Sequence, residues 1–251
     1  MAAAGAGWAL AADAFSFALA AVLMAAIRVP QAERPGGTTI VADLREGWRE
    51  FSSRSWVWLL VGQFALVNGC FAAINVLGPL LARQYMGGAP AWAAILTANA
   101  IGLVGGSLVA IRLRPQFPLR LAAAATFGFL PPFFLLALRA PVWLVAMAML
   151  INGVCVDIFE VLWDTSLQQH VPNAALARIS SYDALGSFVL GPWCLVLVGP
   201  LSVATGARTT LLGAGALLAV ASVIPLTTRT VRSLPARSPV APAVATGVGD
   251  G

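Results

Sequence analysis

Seven long apolar runs, set apart by short polar connections, make up most of the chain. They cover 7–27, 56–81, 91–111, 119–138, 141–165, 183–203 and 207–227. Each is near the roughly 20 residues that an α-helix needs to cross hydrocarbon. The pattern predicts an all-α polytopic membrane bundle of about seven transmembrane helices. The first run is not a signal peptide: no basic residue precedes it, and it exceeds the length of a signal core.

One polar connection differs from the others. After a loop signature from Pro30 through Gly37, the segment 43–51 reads as a short amphipathic helix. Asp43 and Glu46 have capping-box spacing. Leu44, Trp48 and Phe51 share one face, opposite Arg45, Glu46, Arg49 and Glu50. Such a helix lies in the membrane interface or packs on the end of the bundle. The expected organisation is a first helix at 1–28 and a cytoplasmic linker at 29–55. A six-helix half follows at 56–228, with a disordered cytoplasmic tail at 229–251.

Composition strengthens this picture. The chain is 59% hydrophobic and 10% charged, with a mean hydropathy of +0.86. A soluble domain carries about 25% charged residues. All 15 basic residues are arginine, and they alternate between connections. One set holds Arg28, Arg34, Arg45, Arg49, Arg54, Arg112, Arg114, Arg120, Arg178, Arg229, Arg232 and Arg237; the other holds only Arg83, Arg139 and Arg208. The positive-inside rule makes the first set cytoplasmic. That predicts a multi-pass plasma-membrane protein with a cytoplasmic C-terminus, and a first span that begins outside. Basic runs interleaved with aromatics are missing, which argues against nucleic acid as a partner. The expected partners are the bilayer and a small-molecule substrate.

The most informative chemistry is a row of acids inside the fifth run. Asp157, Glu160 and Asp164 lie three and four residues apart, hence on one helical face. Ionisable groups are costly at this depth and usually face a cavity that handles ions or substrate. They are the candidate proton or ion relay. One competing reading pairs Asp164 and Glu160 with Arg112, Arg120 or Arg178, and a third makes Asp164 merely interfacial. Asn68, Asn75, Asn99 and Asn152, with Gln63, are candidates for cavity contacts or for interhelical hydrogen bonds. Gly102 and Gly106 form a GxxxG, a close-contact signal. Arg112, Arg114, Arg120, Arg178 and Asp183 are candidates for gating at the cytoplasmic loops. Trp92, Trp143 and Trp193 read as interfacial anchors. Cys70, Cys155 and Cys194 are isolated apolar residues, and His170 sits in a polar loop, so no cofactor or metal is expected. Nucleotide, zinc and nucleophile motifs are missing. The expectation is a protein that is not an enzyme.

A resemblance adds to this reading. Trp163, Thr165, Leu167, Gln168, Val171 and Pro172, followed by Arg178, Ser180 and Ser181, resemble the loop between helices ten and eleven of major facilitator superfamily transporters. The likeness is to their efflux branch, which includes enterobactin-exporter-like and macrolide-efflux-like proteins. Ala177 stands where that branch favours glycine. Trp8, Asp13 and Phe17 resemble its sixth helix, and 43–51 its amphipathic stretch between halves. Gly102 through Arg114, with Arg120, resembles its basic loop between helices eight and nine. Val231, Arg232, Leu234 and Pro235 resemble its ending. The resemblance implies twelve helices in two halves, of which this chain carries the sixth and the whole second half. It further implies proton-linked antiport of small amphiphilic molecules, with a missing N-terminal half as a possible partner. The alternatives are a non-transporting scaffold or interaction protein built on a half bundle, and an intramembrane enzyme.

Overall fold

The computed structural model describes residues 5–27 and 40–236. The stretch from Pro30 through Gly37, the Asp43 side chain, and the arginines at 28, 34 and 237 lie outside the described residues. Two units separate, Met1–Ile40 and Val41–Gly251. The first holds α1 (Gly5–Ala26). Its described apolar stretch is Leu10–Ala26, near the lower limit for crossing hydrocarbon. Asp13 is exposed on it, and its backbone carbonyl accepts a hydrogen bond from Ser16 Oγ.

The second unit is built from α2 (Ile40–Ser53), α3 (Ser55–Tyr85), α4 (Ala89–Arg112), α5 (Pro118–Ala125), α6 (Pro131–Ala137), α7 (Val142–His170), α8 (Asn173–Thr205), α9 (Ala207–Thr227) and the short α10 (Arg229–Arg232). The chain is an all-α, polytopic membrane bundle. Six segments among the described residues are long and apolar enough to cross a membrane, with α5 and α6 counted as one. Of the seven expected runs, the first, α1, is the one outside this set.

Three expected boundaries need correcting. Residues 163–170 continue α7 and are not loop; the α7–α8 connection is only Val171 and Pro172. His170 is therefore a helical residue, its Nδ1 3.0 Å from Ser166 O. Proline cannot donate a backbone hydrogen bond and disfavours helix in the residue before it, so Pro172 sets the break. The run at 183–203 starts ten residues earlier as helix, since the Ala-rich stretch after Asn173 has good propensity. The run at 119–138 is a broken helix, with a 3₁₀ turn at Thr126–Phe129 between its halves. Pro131 and Pro132 cannot supply backbone N–H groups there. Polar side chains cover the irregular stretch: Thr126 Oγ1 donates to Ala123 O at 2.7 Å and accepts from Gln63 Nε2 at 3.2 Å. Hydrocarbon tolerates broken backbone only under such cover.

The helices pair as α4 with α7 and α3 with α8, while α9 lies against α3 and α6. The α4–α7 seam is backbone against backbone. A methyl at Gly106 would sit 2.6 Å from Val154 O, and one at Gly102 or Gly153 would collide with Leu150 O or Asn99 O. The GxxxG of α4 is thus a close contact, with Gly153 as its counterpart on α7. Between α3 and α6 the core closes on aromatics: Phe71 meets Phe133 edge-on at 5.1 Å. Trp92 is half-buried over Gly78, so it packs the bundle, while Trp143 and Trp193 are exposed.

The amphipathic α2 docks on α8. Tyr182 Oη donates to Leu44 O at 2.8 Å, and Arg178 pairs with Glu46 at 2.8 Å. Gly47 allows the approach, since a methyl there would meet the Tyr182 ring at 2.9 Å. Arg54 holds the Glu50 carboxyl below the usual carboxylate range. That contribution is present above the ordinary carboxylate pKa and fades as acid protonates Glu50.

The seam gives a direct test. Gly102→Ala and Gly153→Ala should each destabilise the protein by about 1–3 kcal/mol, as overpacking does. Gly213→Ala has open space and should be neutral or stabilising. Thermal unfolding in detergent separates the two outcomes. Asn99 Nδ2 donates to Asn152 Oδ1 and to Met149 O, both at 3.0 Å, across the same seam. A double-mutant cycle of Asn99→Leu and Asn152→Leu should give a coupling of roughly 0.6–1.7 kcal/mol; no coupling would remove this pair from the seam.

Candidate functional site

The acidic face of α7 comes from a helix long enough to overrun the bilayer. At 1.5 Å per residue, 29 residues extend about 43 Å. Asp157 is the sixteenth of them, close to the helix midpoint. Glu160 lies roughly 4.5 Å further along the axis and Asp164 about 10 Å further. The three acids therefore form a ladder from the middle of α7 toward the α7–α8 turn.

Neighbouring helices divide that ladder. Asp157 is half-buried against α4, where its Oδ2 accepts from Ser107 Oγ. Gly106 makes room, because a methyl there would sit 2.9 Å from Asp157 Cβ. Glu160 and Asp164 are exposed on the α7 surface and open into a pocket of 180 Å³ between α3, α7 and α8. Asp183 of α8 lines the same pocket, so the structure brings a third carboxylate to Glu160 and Asp164. Trp163 Nε1 donates to Asp183 Oδ2 at 3.0 Å. The opposite wall is aromatic: Phe64 stacks on Phe159 at 5.0 Å and 2° between planes, and Phe188 closes the rim. Three acids and an aromatic wall line one small cleft, and none of the residues lining it is cationic.

The arginine pairing that one competing reading gives these acids is not what the structure shows. Arg178 instead pairs with Glu46 on α2. Arg112, Arg114 and Arg120 are exposed, and the Arg112 guanidinium donates to Leu108 O. Among the described residues, Glu160 and Asp164 have no ion pair. Of the gating candidates, Asp183 alone lines the acidic pocket.

The amides also separate. Asn99 and Asn152 pair with each other, and Asn152 is 2% exposed, so they belong to the α4–α7 seam. Asn68 is half-buried and Asn75 exposed, both on α3. Two features were missed in the sequence. Trp163 orients Asp183, a pairing 20 residues apart that only the tight α7–α8 turn creates. A larger apolar cavity of 380 Å³, between α3, α8 and α9, contains Cys70 and Cys194. No cluster of His, Cys, Asp and Glu suited to a metal is found among the described residues.

What the site can do chemically follows from its charge. Glu160 and Asp164, which have no ion pair among the described residues, repel each other in low dielectric and lose solvation, so taking up a proton or cation relieves both costs. The aromatic wall suits flat or amphiphilic ligands and offers ring faces to a cation.

A family model described as "Transmembrane secretion effector" matches residues 1–241. No curated protein and no solved structure matches the chain. An apolar bundle of membrane-length helices accords with a membrane transporter. The chain belongs to the transmembrane secretion effector family, of the major facilitator type of membrane transporter.

Proposed function

We propose that the bundle is the ion-coupling half of a proton-linked exporter of small amphiphilic molecules. The observation that carries this reading is the cleft where Glu160, Asp164 and Asp183 converge without a lining cation, beside a stacked aromatic wall. Asp157 extends the acids to mid-membrane. A proton entering at Asp164 would pass to Glu160 and neutralise it. Losing one of several mutually repelling charges lets α7 and α8 approach, and regaining it drives them apart. These two helices make few contacts compared with α4–α7 or α3–α8, so their cleft is the part of the bundle that can change width. In a two-half carrier this would bias rocking of one half against the other about a midplane site. The complementary half would face this cleft, and the reading makes it a required partner. Arg178, held on α2 by Glu46, sits where α8 meets the interface helix and would couple that helix to the cleft.

The arginine distribution supports a plasma-membrane orientation with α2, the α4–α5 connection and the C-terminus in the cytoplasm. Single cysteines at positions 112 and 178, in a cysteine-free background, should resist an impermeant reagent added outside. One at position 139 should react. Strong external labelling at 112 or 178 would reverse the orientation.

Transport is tested in proteoliposomes holding the chain with a fragment carrying the family's first five helices. An imposed pH gradient should drive export of an amphiphilic dye. Glu160→Gln and Asp157→Asn should reduce that flux to background while leaving dye binding measurable, whereas Asp13→Asn should keep most of it. If the two carboxamide variants retain full gradient-driven flux, the acids are structural and the coupling reading fails.

A further inference from the structure

We propose a second site, for an anionic phospholipid, at the end of the bundle opposite the acidic turn of α7. It does not rest on the transport reading. The connections α3–α4, α6–α7 and α8–α9 meet there, and they carry Arg83, Arg139 and Arg208 with no acidic residue between them. Arg139 and Arg208 line one pocket of 340 Å³, together with Gln84 and Tyr85. Among the described residues neither guanidinium has an ion pair.

Two details mark this pocket as built. Arg139 has φ +53°, in the left-handed region that non-glycine residues seldom occupy. Its guanidinium rests 4.0 Å from the centre of the Tyr85 ring. That left-handed residue closes α6 in a hydrogen-bonded cap, with Arg139 N donating to Leu136 O and Ala140 N to Leu135 O, which fixes the backbone from which the guanidinium reaches Tyr85. Secondly, α9 begins beside Arg208, and no side chain caps its first turn. Its free N–H groups add positive potential to that of the arginines.

The cationic pocket does not end in bulk protein. Thr205 and Thr209 line both it and the apolar cavity of 380 Å³. From that threonine pair the apolar cavity extends along α8 to Cys194 and along α9 to Leu217. The first distance is about 16 Å and the second about 12 Å at helical rise. Half a hydrocarbon core is about 15 Å. A cationic, hydroxyl-bearing mouth opening on a one-leaflet apolar slot matches a phosphate headgroup with its acyl chain. A soluble anion would fill only the mouth, and a neutral lipid only the slot. Charge and depth together select the anionic lipid.

The test uses the purified full chain in nanodiscs of equimolar phosphatidylglycerol and phosphatidylcholine, with retained lipid read by native mass spectrometry. Two arginines at a membrane surface should give phosphatidylglycerol an enrichment of about tenfold or more. R139Q/R208Q should bring the ratio near parity, while R229Q/R232Q, on α10, should leave it unchanged. Gly213→Trp, which fills the slot and keeps both arginines, should lower retained phosphatidylglycerol; circular dichroism checks that each variant is folded. Parity in the unaltered chain, or undiminished preference in R139Q/R208Q, overturns the site. If excess inorganic phosphate added to the nanodiscs removes the phosphatidylglycerol enrichment, the arginines hold an adventitious ion only, and that overturns the site equally.

Discussion

Everything α7 carries depends on how closely α4 lies against it. Three glycines, Gly102, Gly106 and Gly153, bring the two backbones together where a single methyl would collide with a carbonyl. In lipid this cannot come from hydrophobic collapse, because hydrocarbon solvates leucine as well as protein does. Dispersion between close backbones and a few interhelical hydrogen bonds must supply the association. The Asn99–Asn152 bond sits inside the seam, and Ser107 reaches Asp157 across it. The seam thereby fixes the rotation of α7. With that rotation set, Glu160 and Asp164 can only look toward α3 and α8.

That division explains what was legible in the sequence. The helical spacing of Asp157, Glu160 and Asp164 and the GxxxG are local patterns, so periodicity exposes both. The membrane-length runs follow from composition alone. Partnership across helices is different. Asp183 joins Glu160 and Asp164 only because Pro172 turns the chain within two residues, and Arg178 goes to Glu46 because Gly47 lets α2 come in against Tyr182. Neither event has a periodic signature. Charge complementarity alone offered Arg178 to the α7 acids, whereas the structure pairs it with Glu46. Packing decided it.

The helix boundaries show the same limit. Polar residues from Thr165 through His170 look like loop because hydropathy falls, but the helix continues for another turn and more beyond the hydrocarbon. Hydropathy reports where lipid ends, and hydrogen bonding reports where the helix ends. Pro172 is the residue that speaks to the second question. In the broken segment the reverse holds: hydropathy stays high from Leu119 to Leu138 while Pro131 and Pro132 interrupt the ladder. Thr126 then becomes intelligible, since its hydroxyl donates to Ala123 O where the ladder is irregular and accepts from Gln63 Nε2.

Charge is distributed along the bundle in one direction. Every described acid of the second unit lies from mid-membrane toward the end that carries α2, while the opposite connections hold arginine alone. The two polar clefts are opposite in chemistry for that reason. A cleft of carboxylates beside α2 is relieved by a proton or a cation, and a cleft of guanidiniums at the far end by an anion. Each is bordered by apolar wall, so neither can be satisfied by water alone without leaving that wall wet. Small amphiphiles carrying the complementary charge satisfy both requirements at once. The bundle's own physics therefore favours ligands that are part lipid and part ion.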